Sequence, residues 1–229
     1  MKLTSLAAHA AAIAILGMSL GCASAPDITA LASGQEVELF NGRDLTGWNV
    51  LTKEYFDMPG KISVEDGAMI LGAGSDLTGV RWGGEMLKTD FTLSLEARRV
   101  DGSDFFCGLT FPVGEGYVSL ILGGWGGTAV GLSNVDDMSA IENATSQAIE
   151  FVKNKWYSIE VTVAEGYVRV WLDDEKIIEQ VTKGKRFNVW PQKELVRPLG
   201  VATYCTVGAI RRFAVKRLVP SKVDLKVSE

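Results

Sequence analysis

The chain predicts an antiparallel β-sandwich, and three observations carry that expectation. Short segments in which apolar and polar residues alternate recur with turn signals between them, no stretch holds a long helical period, and the length left after an N-terminal apolar run suits one all-β domain. The first group of expected strands covers residues 37–40, 68–71, 91–100, 105–111, 117–122 and 128–132. A second group covers 156–163, 167–172, 176–181, 199–203 and 209–218. In the third strand Phe91, Leu93, Leu95 and Ala97 alternate with Thr92, Ser94, Glu96 and Arg98, giving one dry and one wet face. Glu165-Gly166 and Asp173-Asp174 are the hairpin turns that close the strands of the second group. No internal repeat and no second domain is indicated.

The N-terminus reads as a leader. Lys2 opens a short basic region, Leu6 to Leu20 is apolar and alanine-rich, and Gly21-Cys22 follows. Two processing routes fit: lipidation at Cys22 after removal of residues 1–21, with Ser19 where leucine is usual, or ordinary cleavage after Ala23-Ser-Ala25, with Pro26 unfavourably placed behind it. Residues 22–36 are expected as a tether, 37–219 as the domain and 220–229 as a loose tail. The expected location is the periplasm or cell surface on a lipid anchor, the membrane being met only through that anchor, or else secretion.

Composition narrows the chemistry. The net charge of −5 and the scatter of basic residues argue against nucleic acid as a partner. His9 is the only histidine and lies in the leader, which excludes imidazole acid–base chemistry, histidine triads and histidine-ligated zinc from the mature chain. Once Cys22 is set apart, Cys107 and Cys205 remain, either as a disulfide or as two apolar thiols on separate strands.

The densest feature runs from Asp101 to Gly114 and on through Gly123-Gly-Trp-Gly-Gly127. In strand register Phe105, Cys107, Leu109 and Phe111 take one face, and Asp104, Phe106, Gly108 and Thr110 the other, so a ligand can meet one side of a sheet whose other side is core. Gly108 within the strand marks a place where something approaches the backbone closely. Trp125, left uncovered by its glycines, with Tyr117, Trp82 and Phe106, is a candidate for stacking on a sugar ring, whereas Trp48 and Trp171 are assigned to core. The polar insert 133–146 offers Asn134, Asp136, Asp137, Glu142 and Asn143, oxygen donors of the kind that hold calcium or another hard divalent cation such as manganese.

These motifs, with Leu39-Phe-Asn-Gly-Arg-Asp-Leu-Thr-Gly-Trp48, the segment from Ile62 to Leu71 and Pro198-Leu-Gly-Val-Ala202, resemble the 3-keto-disaccharide hydrolase family over about 37–218. The resemblance implies a concanavalin A-like jelly roll of the lectin/glucanase type, exported by bacteria, with an oligo- or disaccharide oxidised at carbon 3 as its partner. It implies cleavage by base-assisted elimination and hydration, for which a base, a group stabilising an enolate and a proton donor are needed. With histidine absent, Asp104 and Glu142 are the candidate bases, Arg98 or a bound cation the enolate partner, and Asn143 a substrate contact. The alternative is a non-catalytic carbohydrate-binding module of the same fold, which needs the aromatic residues and no base.

Overall fold

The computed structural model describes residues 25–219; the leader expected over 1–21, Cys22 and the tail expected over 220–229 lie outside them. Among the described residues, fifteen strands follow one another. They are β1 (Glu36–Glu38), β2 (Trp48–Val50), β3 (Ile62–Glu65), β4 (Ala68–Leu71), β5 (Leu77–Trp82), β6 (Phe91–Asp101), β7 (Cys107–Val113) and β8 (Gly116–Gly124). The rest are β9 (Ala129–Ser133), β10 (Gln147–Ala148), β11 (Tyr157–Ala164), β12 (Tyr167–Leu172), β13 (Glu175–Val181), β14 (Gly200–Tyr204) and β15 (Val207–Arg217).

They form two antiparallel sheets. Sheet A has the order β13-β12-β11-β6-β15-β4-β3, with β1 also on β15; sheet B has the order β10-β9-β8-β7-β14-β5-β2. Between them lies the main core, to which β6 gives Phe91, Leu93, Leu95 and Ala97 and β7 gives Cys107, Leu109 and Phe111. The expected sandwich and the alternation of β6 are both observed.

The sheets differ in what covers their outer faces. On sheet A the outward residues of β6 and β12 are half-buried, whereas β7 and β9 are buried at every position. The middle of sheet B is dry on both sides because loops and a 3-10 helix, Pro191–Val196, pack over it. A second apolar cluster marks that cover, joining Leu77, Ile121 and Ala202 of the sheet, and Phe105 just ahead of β7, to Leu51, Phe56, Ala140 and Val196 above it. A cross-strand row makes the approach possible. Gly79, Ala202, Gly108, Ile121 and Gly131 are successive register partners across β5, β14, β7, β8 and β9, four of the five being glycine or alanine. A Cβ at Gly131 would lie 2.4 Å from the Ala140 carbonyl oxygen, so only glycine lets that loop reach the sheet.

Several expectations are corrected. The described part of the tether is folded: Ile28 and Leu31 enter the core, and Arg217 donates to the carbonyls of Thr29 and Leu31 at 3.2 and 2.9 Å. Strands β2, β3, β5 and β10 were not expected; β5 lacks alternation because both its faces are covered. Trp171 is half-buried on the outer face of β12 rather than in the core. Of the two states left open for Cys107 and Cys205, the structure has the free thiols, one buried and one exposed rather than both buried.

Candidate active site on the covered sheet

A cleft of about 370 Å³ opens through the cover of sheet B, within the roughly 300–1,000 Å³ usual for small-molecule sites. Its apolar wall is Phe105, Ile121 and Tyr204, with Trp125 and Trp190 at 50% and 38% exposure. Phe105 and Tyr204 lie 5.8 Å apart between ring centroids, and Tyr204 and Trp190 6.4 Å. Asp104, Lys193, Ser133, Asn134 and Ser139 supply the polar groups.

Lys193 was not among the sequence candidates and is the most unusual group in the cleft. It is 2% exposed, and its Nζ donates to the Gly108 carbonyl at 3.0 Å and stands 4.9 Å from the centre of the Phe105 ring. A Cβ at Gly108 would come within 2.2 Å of that nitrogen, so the approach anticipated at Gly108 is made by this lysine. Pro191 at the start of the 3-10 helix and the bond from the Lys193 amide to the Trp190 carbonyl, 2.7 Å, fix the turn that aims the side chain down. Among the described residues no carboxylate pairs with it. Burial pulls its pKa down to about 7.

Asp104 stands half-buried at the cleft wall, its backbone amide donating to Thr206 Oγ1 at 2.9 Å and its Oδ1 accepting from the Phe105 amide at 2.7 Å. Tyr204 is held above the ordinary phenol range, first by the charge of Asp76 and then by burial, and so keeps its proton. The glycine loop bearing Trp125 is fastened from inside the sandwich by Arg99. Its Nη2 donates to the carbonyls of Gly123, Gly127 and Asp104 at 3.0, 2.8 and 3.2 Å, while the guanidinium lies over Phe106 and Phe151. Trp125 itself has φ +47, and Gly123, Gly126 and Gly127 also have positive φ, so the loop turns the indole outward.

The structure brings together Asp104, Trp125 and Asn134 of the sequence candidates and places the others elsewhere. Arg98 lies on the outer face of sheet A, 4.6 Å over Trp156, one residue and hence one face away from Arg99. Phe106 is fully buried in the core, because the ladder of β7 begins only at Cys107 and the alternation slips ahead of it; Phe105 takes the cleft side. Trp82 is core, edge-on to Trp48 at 5.3 Å. Tyr117 shares the outer face of β8 with Ile121 but lies outside the cleft, under Arg197 at 4.0 Å. Asn143 is buried, donating to the carbonyls of Leu132, Met138 and Ser139 and accepting from Thr145, so it staples the insert rather than meeting a ligand. Glu142 is exposed at the rim and accepts from the Ser139 hydroxyl and amide, which hold its carboxyl below the ordinary range.

The proposed cation site is likewise redistributed. Asp136 is bonded to Lys185 at 2.7 Å and to the Arg186 amide, and Asp137 to Arg186 and Asn188. Among the described residues no group of three or more His, Cys, Asp or Glu is arranged to hold a metal ion.

Residues 35–203 match the 3-keto-alpha-glucoside-1,2-lyase-like domain. The chain belongs to this family. No curated protein matches it. Among solved structures, a galectin-like protein of unknown function from Bacillus subtilis is similar at 13% identity and TM-score 0.57, covering 81% of this chain and 96% of its own. A proposed glycosyl hydrolase from Parabacteroides distasonis is similar at 16% identity and TM-score 0.50, covering 80% and 94%. A carbohydrate-binding module from Bacillus subtilis is similar at 13% identity and TM-score 0.50, covering 75% and 96%. At these identities the likeness is one of fold, an all-β sandwich that carbohydrate-active proteins share.

Proposed function

We propose that the family member described here cleaves 3-keto-glycosides in the cleft of sheet B by elimination followed by hydration. The observation that carries this reading is the meeting of an unpaired buried lysine with a carboxylate inside an aromatic-walled cleft. A ketone at carbon 3 acidifies the hydrogen at carbon 2. Asp104, whose Oδ1 is already oriented by the Phe105 amide, removes that proton through its other oxygen. Lys193 supplies positive charge at carbon 3 as the carbon 2 proton leaves, the role that the sequence assigns to Arg98. Tyr204, still protonated, donates to the leaving oxygen at carbon 1. Trp125 and Trp190 offer flat surfaces to the sugar rings.

The test is sugar release from a 3-keto-disaccharide and from its unoxidised parent. The reading expects cleavage of the keto form alone and a loss of at least about 100-fold in Asp104→Asn with binding retained. Equal cleavage of both sugars, or unchanged turnover in the variant, sinks it. The exposure of Trp125 and Trp190 favours one second reading, a carbohydrate-binding module, whose signature is measurable binding of either sugar without cleavage.

We propose further that the protein is exported and held by acyl chains on Cys22, or released after ordinary cleavage. Residues 1–22 support this, and loss of fatty-acid labelling in Cys22→Ala tests it.

A further inference from the structure

Lys193 combines features that a purely electrostatic or structural lysine does not need. It lies on the cleft wall, yet its stem and head are enclosed, with the Phe105 ring on one side and the Gly108 position left vacant by glycine on the other. A buried lysine that serves only the fold normally carries a carboxylate partner. The other titratable group that influences this one is the buried thiol of Cys107, which is neutral at ordinary pH. An amine so placed has one fixed acceptor, the Gly108 carbonyl, and a lone pair free when deprotonated.

We infer that Lys193 is a nucleophile that condenses with the carbonyl of the bound sugar, so that elimination runs through a protein-bound iminium; this rests on the reading of the cleft as a 3-keto-glycoside site. The pKa depressed by burial supports it, since it favours the free amine, the form that can attack a carbonyl.

The step balances without an oxidant or reductant. The Nζ lone pair adds to carbon 3, the carbonyl oxygen leaves as water after gaining protons, and a C=N⁺ bond results. That cation acidifies the carbon 2 hydrogen more than the ketone does. Asp104 takes the proton, the C–H pair becomes the C2=C3 bond, and the C=N pair returns to nitrogen. The nitrogen then pushes back: C=N⁺ re-forms, the double bond moves to C1=C2, and the C1–O bond breaks with its pair on oxygen, which is protonated to the free alcohol. Water attacks carbon 3 of the conjugated iminium, releasing the unsaturated ketone and the Lys193 amine. The water lost in the first step is returned here, and a later hydration at carbon 1 completes net hydrolysis.

Two measurements on the wild-type chain decide the matter. Turnover in ¹⁸O-water should replace the carbon 3 oxygen in every product molecule, well above the exchange of the ketone without protein. Turnover in the presence of cyanoborohydride should inactivate the protein with a reduced sugar adduct on the peptide containing Lys193, absent from Lys193→Arg and from heat-unfolded chain. Normal cleavage with background ¹⁸O exchange and no adduct at Lys193 overturns the iminium and leaves the elimination reading standing. An adduct at Lys193 without cleavage upholds the amine chemistry and overturns the elimination reading. Adducts spread equally over surface lysines count against a special role for Lys193.

Discussion

Replacing Lys193 by methionine should make the protein more stable while removing its activity. The side chain is enclosed, and its pKa falls from 10.5 to about 7 through burial. At about 1.4 kcal/mol per tenfold, that depression corresponds to on the order of 5 kcal/mol against the charged form in the folded state. Methionine fills nearly the same volume without charge but leaves the Gly108 carbonyl short of one donor, a loss of about 1–2 kcal/mol. The net gain at pH 7 is then about 3 kcal/mol, and the melting temperature should rise by roughly 6–12 °C, at 2–4 °C per kcal/mol for a domain of this size. The pH dependence gives the sign. Between about 7 and 10.5 the unfolded chain holds a proton that the folded chain lacks, so wild-type stability rises with pH across that window. The advantage of Lys193→Met should therefore be full below pH 7, shrink as pH rises and be lost above 10.5. Cys107, pushed up to about 12, acts in the opposite sense above its ordinary value of 9.0, but burial, the larger cause of its shift, is common to both proteins. Calorimetric melts of both from pH 6 to 10 provide the assay. A variant less stable than wild type at pH 7, or a difference that does not change with pH, would refute the argument that Lys193 is an uncompensated buried base.

Three other substitutions separate support from contact. Arg99→Met removes the donor to three carbonyls and should cost about 3–5 kcal/mol by urea denaturation, with a shift in Trp125 fluorescence as its loop loosens. Gly108→Ala puts a methyl 2.2 Å from Lys193 Nζ, 3.0 Å from the Phe105 ring and 3.1 Å from the Ala202 carbonyl oxygen; the enclosed lysine has to shift, so stability should fall by about 1–3 kcal/mol while turnover drops at least about tenfold. Trp125→Ala, at a half-exposed position, should change stability by less than about 0.5 kcal/mol. The same variant should weaken sugar binding by calorimetry about fivefold to tenfold, in keeping with about 1 kcal/mol for a stacking contact.

The sandwich was legible because β6 and its neighbours on sheet A have one wet face, and a wet face writes period-two alternation into the sequence. The middle strands of sheet B are dry on both sides, which erased the alternation of β5 and hid it. The two arginines show how far the reading could have gone. Ala97 was assigned to the dry face, so the same alternation places Arg99 there too, and a charge at a dry position signals a built interaction. Asp104 and Trp125 were found because both lie in a local cluster rich in glycine. Lys193 was not, since its burial is created by Gly108, eighty-five positions away, and by a row of small residues that exists only once five strands are in register. Half of that pair was visible: Gly108 announced an approach without naming what approached.

The asymmetry between the sheets also explains why the cleft can hold a reactive amine. An amine on the wet face of sheet A would be solvated and fully protonated, with neither a depressed pKa nor a fixed direction. On sheet B the small-residue row lowers the floor, so the 3-10 helix carries Lys193 into contact with the strand, and the second apolar cluster seals the sides. Arg99 works from the opposite direction. It starts from β6 in sheet A, crosses the end of the core and grips carbonyls of the glycine loop, so the position of Trp125 depends on the two sheets being packed together. The cleft is thus fixed from below by Lys193 and Gly108 and from within by Arg99. A loosened sandwich should misplace Trp125 before it releases Lys193, and sugar affinity should fail earlier than the perturbed titration of the lysine as denaturant is raised.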